Sequence, residues 1–175
     1  YKHKGDYLTS MMYLQRVIEY VEKRFGVESK QMTGVLETRL SHLINLAKGD
    51  EALDQANKLK PLIFKLYGQK SDRSARLFGR YSDIYSSKGN IQMAINYMAK
   101  AIRLKEELKQ EDSDLSAMYN RLGDQHRKLN QFDLAEKSYR SSKKIDKSIH
   151  GGNSVKSIYA DVRLAVLEGK RGKFK

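Results

Sequence analysis

The sequence predicts an all-α protein: a solenoid of antiparallel helix pairs with no strands. Three observations predict it. A turn-forming tripeptide recurs, as Lys4-Gly5-Asp6, Lys48-Gly49-Asp50 and Lys88-Gly89-Asn90, with a weaker echo at Lys128-Leu129-Asn130, so its starts step by 44, 40 and 40 residues. A second mark, G-x-x-S, falls between these, at Gly26–Ser29, Gly68–Ser71 and Gly151–Ser154. Its fourth member is Gln110-Glu111-Asp112-Ser113, and the starts step by 42, 42 and 41. Between the marks, apolar residues recur at helical and never at strand spacing. Two interleaved marks with one period identify a repeated supersecondary unit.

Each mark has a physical reading. Glycine just past a helix end tolerates the left-handed conformation that stops the helix, and a serine three residues later can cap the next one. In the Lys-Gly-Asp and Lys-Gly-Asn turns, Gly is expected to end one helix and Asp or Asn to cap its successor. The segments they bound are helices over about 6–25, 30–47, 51–67, 72–87, 91–109, 114–128, 131–149 and 155–168. The first carries Tyr7, Met11, Leu14, Val17, Ile18, Val21 and Phe25 at helical intervals. The sixth and seventh carry Tyr119, Leu122, Phe132, Ala135, Tyr139 and Ile145. Pro61, the only proline, falls inside the third segment. Either the helix is kinked there or it begins near Lys60, because an interior proline costs about 3 kcal/mol.

The composition bounds the function classes. The chain has 175 residues, is 39% hydrophobic and lacks cysteine, which excludes disulfides, thiol catalysis and thiolate metal sites. No apolar run reaches the length of a membrane span, and no signal peptide is visible, so the expected location is cytoplasmic. The first residue is Tyr1 rather than Met, as in an internal fragment or a processed product. The net charge of +13 is spread along the chain, with excesses of +2, +5, +2 and +4 over residues 1–50, 51–100, 101–150 and 151–175. Such a field favours anionic partners, whether acidic peptides, nucleic acid or lipid headgroups. A lysine-rich, solvated helical surface gives the same numbers.

No catalytic motif is present: no P-loop, G-x-G-x-x-G, H-E-x-x-H or G-x-S-x-G. His3, His42, His126 and His150 are far apart in sequence, and His126 occupies an aromatic slot of its helix, as a packed histidine would. The acidic run Glu106, Glu107, Glu111, Asp112 and Asp114 lacks the glycine and spacing of a calcium loop and reads as a solvated turn. No enzyme activity, cofactor or metal is expected. Tyrosines interleaved with Lys and Arg suit nucleic-acid stacking, but Tyr7, Tyr81, Tyr85, Tyr97, Tyr119 and Tyr139 fall at core spacing.

The pair of helices at 114–149 contains Tyr119-x-x-Leu122-Gly123-x-x-His126 followed by Ala135-x-x-x-Tyr139-x-x-Ser142. It resembles the tetratricopeptide repeat, with its aromatic, its Leu-Gly pair and its small residue four before an aromatic. The pair before it contains Phe78-x-x-Tyr81-Ser82-x-x-Tyr85, then Ala94-x-x-x-Met98-x-x-Ala101, and is similar to the same repeat. The longer unit, near 42 residues, is similar to the extended repeats of kinesin light chains and bacterial regulatory arrays. The resemblance covers the whole chain. It implies a right-handed superhelical solenoid over 1–175, a piece of a longer array: a second helix at 6–25, repeats at 30–67, 72–109 and 114–149, and a first helix of a truncated repeat at 155–175. In 30–67 and 155–175 the register is open by a residue or two, with Arg39 or Arg163 at a nominally apolar position.

The resemblance also implies a function. First helices of such arrays line a concave groove, which here is expected to carry Arg76, Arg80, Asp83 and Ser86 on the fourth helix and Asn120, Asp124 and Arg127 on the sixth. Asn120 resembles groove asparagines that hold a peptide backbone, and Arg76 and Arg127 are placed to pair with carboxylates. The expected function is a scaffold or regulatory module that binds a protein or peptide partner of acidic character. The alternatives are nucleic-acid binding through the basic surface, and a regulatory domain of an enzyme whose catalytic domain lies outside this chain. Bare solenoid ends expose apolar faces, so oligomerisation through them is a further expectation.

Overall fold

The fold was analysed in a computed structural model, which describes residues 2–151 and 155–172, with side chains from residue 9 onward except at 156 and 157. Eight helices follow one another: α1 (Lys2–Phe25), α2 (Lys30–Asn45), α3 (Gly49–Tyr67), α4 (Asp72–Ser87), α5 (Ile91–Glu107), α6 (Ser113–Lys128), α7 (Phe132–His150) and α8 (Val155–Lys170). No strand occurs among the described residues. The chain divides into two compact units, residues 1–90 with α1–α4 and residues 91–175 with α5–α8.

The helix ends explain the period and correct parts of it. Ser29 and Ser71 are N-caps whose side chains accept from Met32 N and Ser74 N. Gly26, Gly68 and Gly151 adopt φ near +80°, the conformation that terminates the preceding helix. Residues 152–154, including the expected cap Ser154, lie outside the described residues. Before α6 the pattern slips by one residue: Lys109, not Gln110, takes the positive φ, and Asp112, not Ser113, is the N-cap, accepting from Leu115 N at 2.9 Å. The left-handed residue here follows Gly89 by 20 positions, against 21 from Ala47 to Gly68 and from Asn130 to Gly151.

The other set of turns is also shifted. The left-handed residues are Ala47, Gly89 and Asn130, so the counterpart of Gly89 is Ala47 rather than Gly49. Gly49 opens α3, Asp50 lies within its first turn, and Lys48 is the N-cap without a side-chain bond. The ends share one bonding pattern: Lys48 N to Leu43 O, Asn90 N to Tyr85 O, Gln110 N to Lys105 O and Gln131 N to His126 O, each spanning five residues. This is the Schellman bond, which satisfies carbonyls the helix leaves open. α1 begins at Lys2, so Lys4-Gly5-Asp6 is helical and not a turn.

Buried side chains follow the helical spacing. In the first unit Leu40, Leu43, Ala52, Ala56, Leu59, Ile63, Ala75, Phe78 and Tyr81 form the core, and Phe64 meets Phe78 edge to face at 6.3 Å. α3 runs continuously through Pro61, so it does not begin at Lys60. Pro61 and Asn57, whose carbonyl loses its helical donor, are both exposed, which lets water replace the missing N–H. In the second unit Tyr139 is fully buried against Gly123, where a Cβ would stand 2.4 Å from the ring. Ala135 and Leu167 complete that core, flanked by Phe132 and Leu164. α1 leaves Met12, Tyr13 and Tyr20 exposed, and α8 leaves Val155, Ile158, Tyr159, Val162 and Val166 exposed.

Counting from the left-handed turns resolves the register. Arg39 lies 13 residues beyond Gly26, as Tyr81 does from Gly68, Leu122 from Lys109 and Leu164 from Gly151. Arg39 is therefore the cation at an apolar position, and its buried Nε has no hydrogen-bond partner. Arg163 stands in the column of Arg80 and Arg121, which is polar throughout.

Candidate functional site

The seven expected groove residues fall into two sets, one in each unit. In the first unit, Arg73, Arg76 and Arg80 share one face of α4, at i, i+3 and i+7, and line a cavity of about 320 Å3 with Glu37 and Leu40 of α2, Leu59 of α3, and Asp72 and Leu77 of α4. Arg73 Nη1 donates to Glu37 Oε2 at 2.7 Å, and its guanidinium lies 4.5 Å from the Tyr67 ring centroid. Arg76 Nε pairs with Asp72 Oδ2 at 2.8 Å, and Arg80 Nη1 is 3.8 Å from Asp83 Oδ2. Asp83 thus acts from beside Arg80 and is not part of the lining. Arg73, absent from the expected set, is tied to α2 through Glu37 and to α3 through the Tyr67 ring.

In the second unit, Asp124 gathers three groups. Tyr139 donates its hydroxyl to Asp124 Oδ1 at 2.8 Å, Arg127 Nη2 lies 3.7 Å from the same oxygen, and Arg163 Nη2 lies 3.5 Å from Oδ2. Burial, then the bond to the Asp124 carboxylate, pushes the Tyr139 hydroxyl up to about 12. Asp124 and Arg127 are therefore committed to the α6–α7–α8 packing as much as to any ligand. Asn120 stands apart from them, in a cavity of about 470 Å3 with Ser113, Asp114, Ser116 and Ala117 of α6, Asp146 of α7, and Tyr159 and Arg163 of α8.

Two expectations about single residues are corrected. His126 is not packed in the core: it is half-buried, with Nδ1 2.7 Å from Gln131 Oε1 beside the turn. Asp112 is not a merely solvated turn residue. Its Oδ2 accepts from the fully buried Lys105 Nζ at 2.6 Å while Oδ1 caps α6. Burial pushes the Asp112 carboxyl up, but the bonds from Lys105 and the Leu115 N–H outweigh it and hold the group below its ordinary range. In the same acidic run Glu106 accepts from the Tyr119 hydroxyl, and burial followed by that bond pushes the hydroxyl up. Of the tyrosines placed in the core by spacing, Tyr81 and Tyr139 are buried, Tyr85, Tyr97 and Tyr119 are partly so, and the Tyr7 side chain lies outside the described residues. The same is true of the His3 side chain.

Lys105 and Asp146 were legible as anomalies. Both stand where the helical spacing calls for an apolar side chain, directly after the buried Leu104 and Ile145. No group of three or more His, Asp or Glu that could hold a metal occurs among the described residues. No helix there is long and apolar enough to cross a membrane.

Residues 75–108 and 116–149 match the tetratricopeptide repeat family. The chain carries tetratricopeptide repeats. The two matched segments start 41 residues apart, the same step that separates the terminators Gly68 and Lys109. The chain is also similar in fold to solved structures. BtubC (BKLC) from P. vanneervenii superposes with a TM-score of 0.82 at 16% identity, over 99% of this chain and 69% of that one. A Podosopora anserina protein named for kinesin light chain, with nearly identical TPR-like repeats, gives a TM-score of 0.78 at 12% identity, over 99% and 83%. A single-residue variant of that protein gives 0.79 at 12% identity, over 99% and 82%. At these identities the likeness shows the fold, an all-α tetratricopeptide-like solenoid. No curated protein matches the sequence.

Proposed function

We propose that this chain is a non-enzymatic protein-interaction module whose α2–α4 groove receives an acidic segment of a partner. The observation that carries the reading is the row Arg73, Arg76 and Arg80 along one cavity, where Glu37 and Asp72 are the only carboxylates among the described lining residues. Arg76 is held by a surface i,i+4 pair. Such pairs are worth about 0.3–0.5 kcal/mol, so a ligand carboxylate can replace Asp72 at little cost. Arginine's planar fork suits bidentate capture of that carboxylate.

The test is a binding titration with a peptide rich in Asp and Glu against its Asn and Gln counterpart, followed by fluorescence anisotropy. The acidic peptide should bind at least tenfold tighter, and the double charge reversal Arg76→Glu, Arg80→Glu should abolish that advantage. Equal binding of the two peptides would sink the reading, as would an unchanged affinity in the reversed variant.

A second reading, nucleic-acid binding, is favoured by one feature. Lys137, Arg140, Lys144 and Lys147 form a stripe at i, i+3, i+7 and i+10 on α7, all exposed. Against it, Tyr81 and Tyr139 are buried and unavailable for stacking. Salt-sensitive binding of single-stranded oligonucleotides, lost on neutralising this stripe, would favour it over the peptide reading. Self-association through the exposed apolar faces of α1 and α8 would appear as a concentration-dependent mass in sedimentation equilibrium.

A further inference from the structure

The cavity framed by α6, α7 and α8 differs in chemistry from the arginine-lined groove. Asp146 is 2% exposed, and its Oδ1 is fully buried with no hydrogen-bond partner. Asn120 Oδ1, in the same lining, is likewise buried and without a partner. A carboxylate removed from water without a donor is unfavourable, and natural folds rarely leave one so. Asp146 and Asn120 line one cavity of about 470 Å3, and their acceptor groups make that lining complementary to a donor entering from outside.

The rest of the lining fixes the sign of that donor. Asp114 adds a second carboxylate. Arg163 is the only cation among the described lining residues, and Asp124 draws it at 3.5 Å. Tyr159, 60% exposed, offers an aromatic face at the mouth, and a cation lying over such a face is attracted by the ring's quadrupole. The described lining therefore presents a buried carboxylate, a second acceptor and an aromatic wall, with two carboxylates, Asp114 and Asp146, against one cation, Arg163.

We propose that this cavity binds a cationic side chain of a partner protein, a guanidinium or ammonium group, with Asp146 as the principal acceptor, Asn120 as the second and Tyr159 stacking on the cation. The inference does not rest on the acidic-ligand reading of the first unit, because the site lies in the second unit and selects the opposite charge.

The test is an NMR titration of the whole chain with N-acetyl-arginine amide, and with N-acetyl-citrulline amide as its neutral counterpart of nearly the same shape. The arginine derivative should cause saturable shifts at the backbone amides of Asn120, Asp146 and Tyr159. Citrulline should bind at least tenfold more weakly. Asp146→Asn should abolish the preference while the chain stays folded, since the change removes a buried charge. Tyr159→Ala, at an exposed position, should weaken arginine binding severalfold without touching the core. Citrulline binding as well as arginine would overturn the proposal. So would an absence of saturable shifts at these amides, an unchanged preference in Asp146→Asn, or an unchanged arginine affinity in Tyr159→Ala. None of these outcomes depends on whether Arg76 and Arg80 bind acidic peptides.

Discussion

Lys105 in α5 and Asp146 in α7 hold the same place in successive repeats, each 16 residues beyond a left-handed turn residue, Gly89 or Asn130. Ile63 holds it after Ala47 and is fully buried. The fold thus puts an apolar residue, a cation and an anion into one kind of buried slot. At Lys105 the charge is met by a neighbour, because the N-cap of the next helix is Asp112, whose carboxylate bonds Nζ and Leu115 N together. At Asp146 one carboxylate oxygen is buried without a partner. The difference separates a charge used to join two helices from a charge left over for something else. A buried ion pair adds little stability over a well-packed apolar pair, but breaking one is costly.

Variants at the two slots should separate in size and in sign. The largest effect is expected from Asp112→Ala, which takes the carboxylate away from the buried Lys105 Nζ and removes the α6 cap. The loss should be about 3 kcal/mol in urea unfolding, at the low end for such pairs because the Asp112 side chain is 43% exposed. The pH dependence has the matching sign. A carboxylate whose folded pKa is depressed contributes stability that is present above its unfolded value, about 3.9, and is lost as pH falls through the lower folded value. The Asp112 contribution should therefore be intact at neutral pH and disappear below about pH 4, and Asp112→Ala should show a flatter acid limb.

Gly123→Ala comes next and tests whether the comparison is confined to the slots. The added Cβ would stand 2.4 Å from Tyr139 Cε1, and the buried, hydroxyl-bonded ring has nowhere to go. A loss of about 2 kcal/mol is expected despite alanine's better helix propensity. Asp146→Asn should move the other way, gaining about 1 kcal/mol and a few degrees in Tm by calorimetry, because the uncompensated charge goes. A destabilised Asp146→Asn would mean that the carboxylate is satisfied within the fold and that the two slots are alike. The smallest effect is expected from Lys105→Met, within about 1 kcal/mol of zero. A large loss there would show that the pair joins the helices more strongly than apolar packing can.

Legibility in the sequence followed the range of the physics involved. Helix ends are decided by residues within one turn, so Gly26, Ser29, Gly68 and Ser71 were read in their roles. The errors came where several residues can do the same local job. Gly49 looked like the terminator of α2, but the Schellman bond from Lys48 to Leu43 puts Ala47 in the left-handed position and leaves Gly49 to open α3. Ser113 looked like a cap by analogy, while Asp112 both caps and pairs with Lys105. Arg76 and Arg80, expected at groove positions from the family resemblance, line one cavity, and Asn120 lines another. Arg73 and Arg163 had no local signal, because their partners Glu37 and Asp124 come from other helices, and Asp146 stood out only as a charge at apolar spacing.

The sequence by itself determined that the chain is helical, where its helices begin and end to within a few residues, and that the unit repeats every 41 or 42 positions. Those properties are set by backbone preferences, caps and apolar spacing, all of which act locally. Only the tertiary structure decided which charges are used up. Asp124 is drawn to Tyr139, Arg127 and Arg163, Asp112 to Lys105, and Arg73 to Glu37, whereas Asp146 keeps a buried oxygen open. Whether a charge is satisfied depends on groups brought within about 4 Å by packing, at separations along the chain that no local pattern encodes.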